Sequence, residues 1–134
     1  MAEHNIIGQK GEQIAVETMR KKGFRVVDTN WKFGHLEMDV IAVNRKEIAF
    51  VEVKTRTSSF GDKRPEEFVD ELKRRRMVAA ANAYIKIHQI ELVPRFDIIG
   101  ISMDPNTYEV KELTHLEDAF LPPQRTIGKS SFSG

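Results

Sequence analysis

"LEMDVIAVNRKEIAFVEVKTR", Leu36 to Arg56, holds two strongly apolar runs rich in β-branched residues, with charges set inside them. Such runs have the composition of strands covered on both faces. "NRKE" between them reads as a hairpin turn although it lacks glycine, because Asn44 tolerates left-handed backbone. Side chains alternate along a strand, so Glu37, Asp39 and Ile41 share one face, as do Phe50, Glu52 and Lys54. Met38, Val40 and Ala42 then face the other way, with Ala49, Val51 and Val53. A turn about Arg45 and Lys46 pairs Asn44 with Glu47, which sets Asp39 opposite Glu52 and Glu37 opposite Lys54. Like charges directly opposed in a sheet are destabilising, and an unpaired buried carboxylate costs several kcal/mol. One resolution is an ordinary salt bridge on a half-exposed sheet. The apolar continuity of both runs favours the other, a site whose charges have work to do.

Working outward, apolar Ile7, Ile14, Ala15 and Met19 recur at helical spacing, and "KKG" closes that pattern, which predicts a helix from about Ile7 to Lys22. "FRVVDTNWKF" predicts a strand. "TSSFGDKRP" reads as a loop, with Pro65 opening a helix to about His88 whose stripe is Val69, Leu72, Ala80, Ala83, Tyr84 and Ile87. "RFDIIGIS" and "YEVKEL" predict strands around the turn "DPNT", and "HLEDAF" a short closing helix. The order α-β-β-β-α-β-β implies an α/β fold, a mixed central sheet with helices against it. Residues 1–121 are expected to form one domain, and 122–134, rich in Pro, Ser and Gly, a disordered tail.

At 134 residues, 40% hydrophobic and 31% charged, the chain has the composition of a soluble globular domain. No apolar stretch is long enough to span a membrane and the opening residues lack a signal-peptide pattern, so the expected location is cytoplasmic, with no membrane partner. The absence of cysteine excludes disulfides and thiolate chemistry. The net charge of +1 is uninformative, but its distribution is not: Lys54, Arg56, Lys63, Arg64, Lys73, Arg74, Arg75 and Arg76 fall in one stretch.

A divalent cation is an economical partner for the facing carboxylates. Mg²⁺, or Mn²⁺ in its place, takes one or two protein carboxylates and fills its octahedron with waters and phosphate oxygens. Asp39 and Glu52 would hold it. Lys54, two residues on, would orient or deprotonate an attacking water or neutralise charge developing on phosphorus. Glu12 joins a helical row with Gly8, Ala15 and Met19, which turns its carboxylate toward a packed face; the alternative is a solvated helix charge. Arg56, Lys63, Arg64 and the run Lys73 to Arg76 are candidate contacts to nucleic-acid phosphates, against the alternative of a solvated basic face. Four successive helical residues cover the whole circumference, and Arg76, in the row Leu72, Arg76, Ala80, is expected either to snorkel past the apolar stripe or to reach toward the sheet face that carries the site. His35 reads as a turn residue, and Trp31, Phe33 and Phe60 as core or loop anchors. With no base-reading motif, recognition by shape is expected.

A carboxylate on one strand followed by Glu-x-Lys on the next resembles the PD-(D/E)xK nuclease core, with Asp39 and Glu52-Val53-Lys54 at the matching positions. More narrowly, "GQKGEQIA", "NWKFGHLEMDVIA", "FVEVKTR", "FG" and "RFDIIGI" together look like the YraN-like family of predicted bacterial endonucleases, related to archaeal Holliday junction resolvases. Met38 stands where the superfamily's name has proline, and His35 and Leu36 separate Gly34 from Glu37. The resemblance implies a three-layer α/β/α restriction endonuclease-like core. It also implies metal held by Asp39, Glu52 and the Val53 carbonyl, Lys54 beside it, and Glu12, with Glu37 close by, as additional acidic groups. By the same analogy it implies a homodimer acting on DNA, branched or damaged structures included. A non-catalytic DNA-binding module on the same fold, or a purely structural domain, is the alternative.

Overall fold

The computed structural model describes residues 2–61, 63, 67 and 69–121, with side chains from residue 6 onward. The element order is α1 (Ala2–Lys21), β1 (Arg25–Phe33), β2 (Leu36–Val43), β3 (Glu47–Arg56), α2 (Glu71–His88), β4 (Val93–Met103) and β5 (Val110–Leu116). Five strands form one sheet in the order β1-β2-β3-β4-β5. Neighbours in sequence pair antiparallel, except that β3 and β4, separated by the α2 crossover, run parallel. A parallel pair needs such a long connection, so the sheet is mixed, as expected from the element order.

Each face of the sheet is covered by one helix. Ala15 and Met19 of α1 pack with Val40, Ala42, Ala49, Val51, Ile99 and Ile101. On the other face Met77, Ala80, Ala81 and Tyr84 of α2 pack with Ile41, Ile48, Phe50, Phe96 and Ile98. The result is the three-layer α/β/α arrangement. The neighbouring β2 and β3 put large apolar side chains on both faces, which explains why their sequences barely alternate. Among the described residues no helix is long and apolar enough to cross a membrane.

Several local expectations are corrected. The first helix already includes Ala2. The second begins at Glu71, not near residue 65, because Asp70 is its N-cap: extended there, it accepts the Lys73 N–H at 2.8 Å. Pro65 itself lies outside the described residues. The helical phase differs too, with Leu72 55% and Ile87 53% exposed while Met77 and Ala81 are buried. The inward row is therefore Lys73, Met77, Ala80, Ala81 and Tyr84, and Arg76 points outward to solvent. "HLEDAF" forms no helix. His115 and Leu116 end β5, and the chain then turns back so that the Ala119 N–H meets the Phe96 carbonyl and Phe120 stacks on Phe96 with centroids 4.9 Å apart. The expected tail, 122–134, lies outside the described residues.

Candidate functional site

The turn at Asn44 sets the register that places the acidic residues. Asn44 donates its N–H to the Glu47 carbonyl at 2.9 Å, and its side-chain Oδ1 accepts the N–H groups of Lys46 and Glu47 at 2.9 and 2.7 Å. The β2–β3 ladder then runs from Val43 with Ile48 to Val40 with Val51, the register anticipated from the turn. One step further the ladder stops. There the Val53 N–H donates to Asp39 Oδ2 at 2.8 Å, so a side chain supplies the acceptor.

Strict alternation fails at the same point. Met38 packs with the α2-side core although Val40, two residues on, packs with the α1-side core. Assigning Met38 to the face of Val40 and Ala42 is thus corrected, and the cause is the departure of β2 from its partner at Asp39. Glu37 is exposed and is not a ladder partner of Lys54.

Glu52, on β3, keeps only 14% of its side chain exposed, and its Oε2 lies 3.4 Å from Lys73 Nζ. Burial raises the pKa of both Asp39 and Glu52. Glu52 is pushed up to about 7, by burial first and then by the negative charge of Asp39, with Lys73 pulling the other way. The two carboxyl groups act on each other, which lowers Asp39 and raises Glu52. One lysine faces two buried carboxylates and does not fully compensate them.

From the other layer α1 brings Glu12. A Cβ on Gly11 would collide with the Thr55 side chain, so glycine is what allows α1 to close on β3 here. Glu12 Oε1 accepts a 2.6 Å hydrogen bond from Asn30, whose backbone is left-handed at φ 51°. Burial raises the Glu12 pKa; the Asn30 bond opposes this, and the charges of Asp39 and Glu37 add to it. A cleft of about 270 Å³ is lined by Gly8, Glu12, Asp39, Val53, Lys54 and Thr55. Glu12, Asp39 and Lys54 thus open on one space, with Glu52 joined to it through Asp39. Among the described residues no three carboxylate or imidazole groups close into a ready-made metal cage. His35 sits exposed in the β1–β2 turn.

The basic residues do not form one face. Lys73 is turned toward Glu52. Arg74 is half-buried with its guanidinium 5.6 Å from the Phe120 ring centre, and Arg75 pairs with Glu71 on the exposed side at 2.8 Å. Arg56 lies 5.5 Å over the Phe60 ring, and that ring rests on Gly100, the parallel-register partner of Lys54. Phe60 is therefore a loop anchor, as expected, while Trp31 packs edge-on against Tyr84 at 5.1 Å. Lys63 and Arg76 are exposed. Arg64 lies outside the described residues.

Sequence reasoning missed two partners. Asn30 was hidden inside a strand, and its left-handed backbone, a habit of asparagine, was the available signal. Lys73 was grouped with surface cations, and only the phase set by the Asp70 cap reveals its inward direction.

A model of the uncharacterised protein family UPF0102 matches residues 11–101. The chain belongs to the UPF0102 family. This is the YraN-like family to which the five sequence blocks pointed. UPF0102 proteins of Bacteroides thetaiotaomicron and Parabacteroides distasonis are 41% and 42% identical to it, over 92% and 93% of this chain and 98% and 100% of their own. A UPF0102 protein of Flavobacterium psychrophilum is 40% identical over 90% of this chain and 98% of its own length. The span matched by the UPF0102 model contains Glu12, Asp39, Glu52 and Lys54, together with Gly11 and Gly100.

Proposed function

We propose that this UPF0102 protein is a metal-dependent endonuclease that hydrolyses phosphodiester bonds in DNA, branched or damaged structures among its substrates. The observation that carries the reading is the pair Asp39 and Glu52, buried against each other at the end of the β2–β3 ladder with a single lysine between them and neutrality. Such a pair fits a hard divalent cation. Its donors are all oxygen, both carboxyl groups are held toward their neutral form by burial, and a cation would relieve that cost. Asp39, Glu52 and the Val53 carbonyl would hold Mg²⁺ or Mn²⁺, which supplies Lewis acidity toward a phosphoryl oxygen and acidifies a bound water.

The chain's own groups do the rest. The Val53 N–H fixes one Asp39 oxygen and leaves the other for ligation. Lys73 favours the ionised form of Glu52, the form that can ligate. Lys54 opens on the same cleft as Asp39, where an ammonium can orient the attacking water or balance charge on the pentacovalent phosphate. Glu12, one oxygen held by Asn30, adds a third carboxylate at the cleft, toward the metal directly or through a water.

The test is cleavage of linear, nicked, flapped and four-way-junction DNA with Mg²⁺ or Mn²⁺, wild type beside Asp39→Asn, which keeps an acceptor for Val53. Metal-dependent cutting that disappears in a folded variant is the expected result; equal cutting by both would end the proposal. A second reading, a DNA-binding module that does not cut, draws on the fact that among the described residues no three carboxylate or imidazole groups close into a metal cage. It is favoured if a folded wild type binds DNA in a salt-dependent way and cuts none of these substrates.

A further inference from the structure

A larger concavity lies at the other end of the sheet. A cleft of about 590 Å³ is formed by the α1–β1 connection at Gly23, the start of β1 at Arg25, and the β2–β3 hairpin from Val43 to Glu47. Arg25, Arg45 and Lys46 line it and are exposed, and among the described residues their side chains form no ion pair. Its one carboxylate, Glu47, is engaged by Arg95 at 3.3 Å. The cations are held in place: the Asn44 side chain caps the turn that carries Arg45 and Lys46, the Lys46 carbonyl accepts the Val93 N–H at 2.9 Å, and Arg25 is the ladder partner of Val43.

We propose that this cleft is a second binding surface for the phosphate backbone of nucleic acid, separate from the Asp39 site. Three uncompensated cations around a concavity concentrate positive potential there, and neutralising phosphates releases their counterions. A protein partner would need an apolar centre to its interface, and among the described residues Val43 is the only apolar side chain lining the cleft. Along β2 the four residue steps from Asp39 to Val43 span about 13 Å at ~3.3 Å each. At ~3.4 Å of rise per nucleotide, a strand reaching from one site to the other covers about four nucleotides. The inference takes its ligand class from the proposed function but does not require cutting.

The test is binding of a fluorescent DNA duplex of about two helical turns, in EDTA so that cleavage plays no part, across a salt series. Arg45→Ala/Lys46→Ala is compared with wild type and with Lys111→Ala, which removes a cation from β5, the strand at the opposite edge of the sheet. In the double variant the slope of log affinity against log salt should become shallower by about 1.8, some 0.9 for each lost phosphate contact. The Lys111 variant should keep the wild-type slope, and Arg45→Lys should restore most of the loss at that position. An unchanged slope in a folded double variant overturns the proposal, as does an equal change in Lys111→Ala or a wild type that binds no DNA. Loss of cutting in Asp39→Asn with this slope intact bears on the nuclease reading alone.

Discussion

Two places in this molecule bury carboxylates in a sheet, and they treat them in opposite ways. On β4, Asp97 is fully buried, yet its pKa lies below the ordinary value. Burial alone would raise it, but the hydrogen bond with His115 at 2.7 Å, the Asp118 N–H at 3.0 Å and the Arg95 guanidinium at 2.9 Å outweigh that. Arg95 also reaches Glu47 and Glu117, and Lys22 bonds both Glu117 and the free His115 nitrogen. At the β2–β3 junction Asp39 and Glu52 share one lysine and both are raised. A buried acid that is surrounded by donors is architecture. One left short of them carries a burial cost that its neighbours do not relieve.

The most damaging way to break this contrast is to remove Asp97. Asp97→Ala takes from His115 its buried partner and leaves Arg95 only Glu47 and Glu117, and loss of one partner from a buried pair costs about 3–5 kcal/mol. Urea denaturation at neutral pH should show that loss, and added Mg²⁺ should not restore it. A change under about 1 kcal/mol would mean that the cluster is not the anchor described.

Next comes a substitution that should help the fold. Because the Glu52 pKa is raised from 4.5 to about 7, the unfolded chain releases that proton first, so stability contributed by the neutral acid falls as pH rises from 4.5 through about 7. Glu52→Gln should remove this slope and stabilise the protein above neutrality by about 2–3 kcal/mol, after allowing for its coupling to Asp39. Asp97 has the opposite sign, its contribution being lost as pH falls through its lowered pKa. Denaturation curves of wild type and Glu52→Gln between pH 4.5 and 8 that stay parallel would show that Glu52 is no less compensated than Asp97.

The smallest expected effect concerns how the site is assembled. Gly11→Ala drives a methyl into Thr55, and overpacking of that kind costs about 1–3 kcal/mol. Pushing α1 away from β3 should also separate Glu12 from Asp39. In the variant, divalent-cation affinity measured by calorimetry should fall, whereas the Asp97 cluster, read from the pH dependence of stability in acid, should be unaffected.

Much of the site was visible in the sequence because it depends on short-range rules. The Asn44 turn fixed the register, and the register brought Asp39 beside Glu52. What the sequence concealed depends on where regularity stops. Alternation could be read through Val40, but nothing in "LEMD" announces that Asp39 takes the Val53 N–H and ends the ladder. The phase of α2 hinged on a cap at Asp70, while the basic run around Arg76 suggested a different inward row. The closing segment looked helical from composition, yet Asp97 and Phe96 draw Asp118 and Ala119 into an irregular turn through tertiary hydrogen bonds. The Arg95–Asp97 pair did carry a signal, since "RFD" puts two opposite charges on one strand face within an apolar run, the same kind of anomaly as "EVK".

The parallel junction between β3 and β4 also orders events in time. Asp39 and Glu52 lie on consecutive strands, β2 and β3, brought together by antiparallel pairing across a tight turn, a contact that closes quickly because little chain entropy is lost. Pairing Glu47 with Val93 must wait for α2 to cross, and the Asp97 cluster must wait for β5 as well. The charge cluster on β4 is therefore a late lock: weakening it should act mainly by accelerating unfolding, while the rate of folding is set elsewhere.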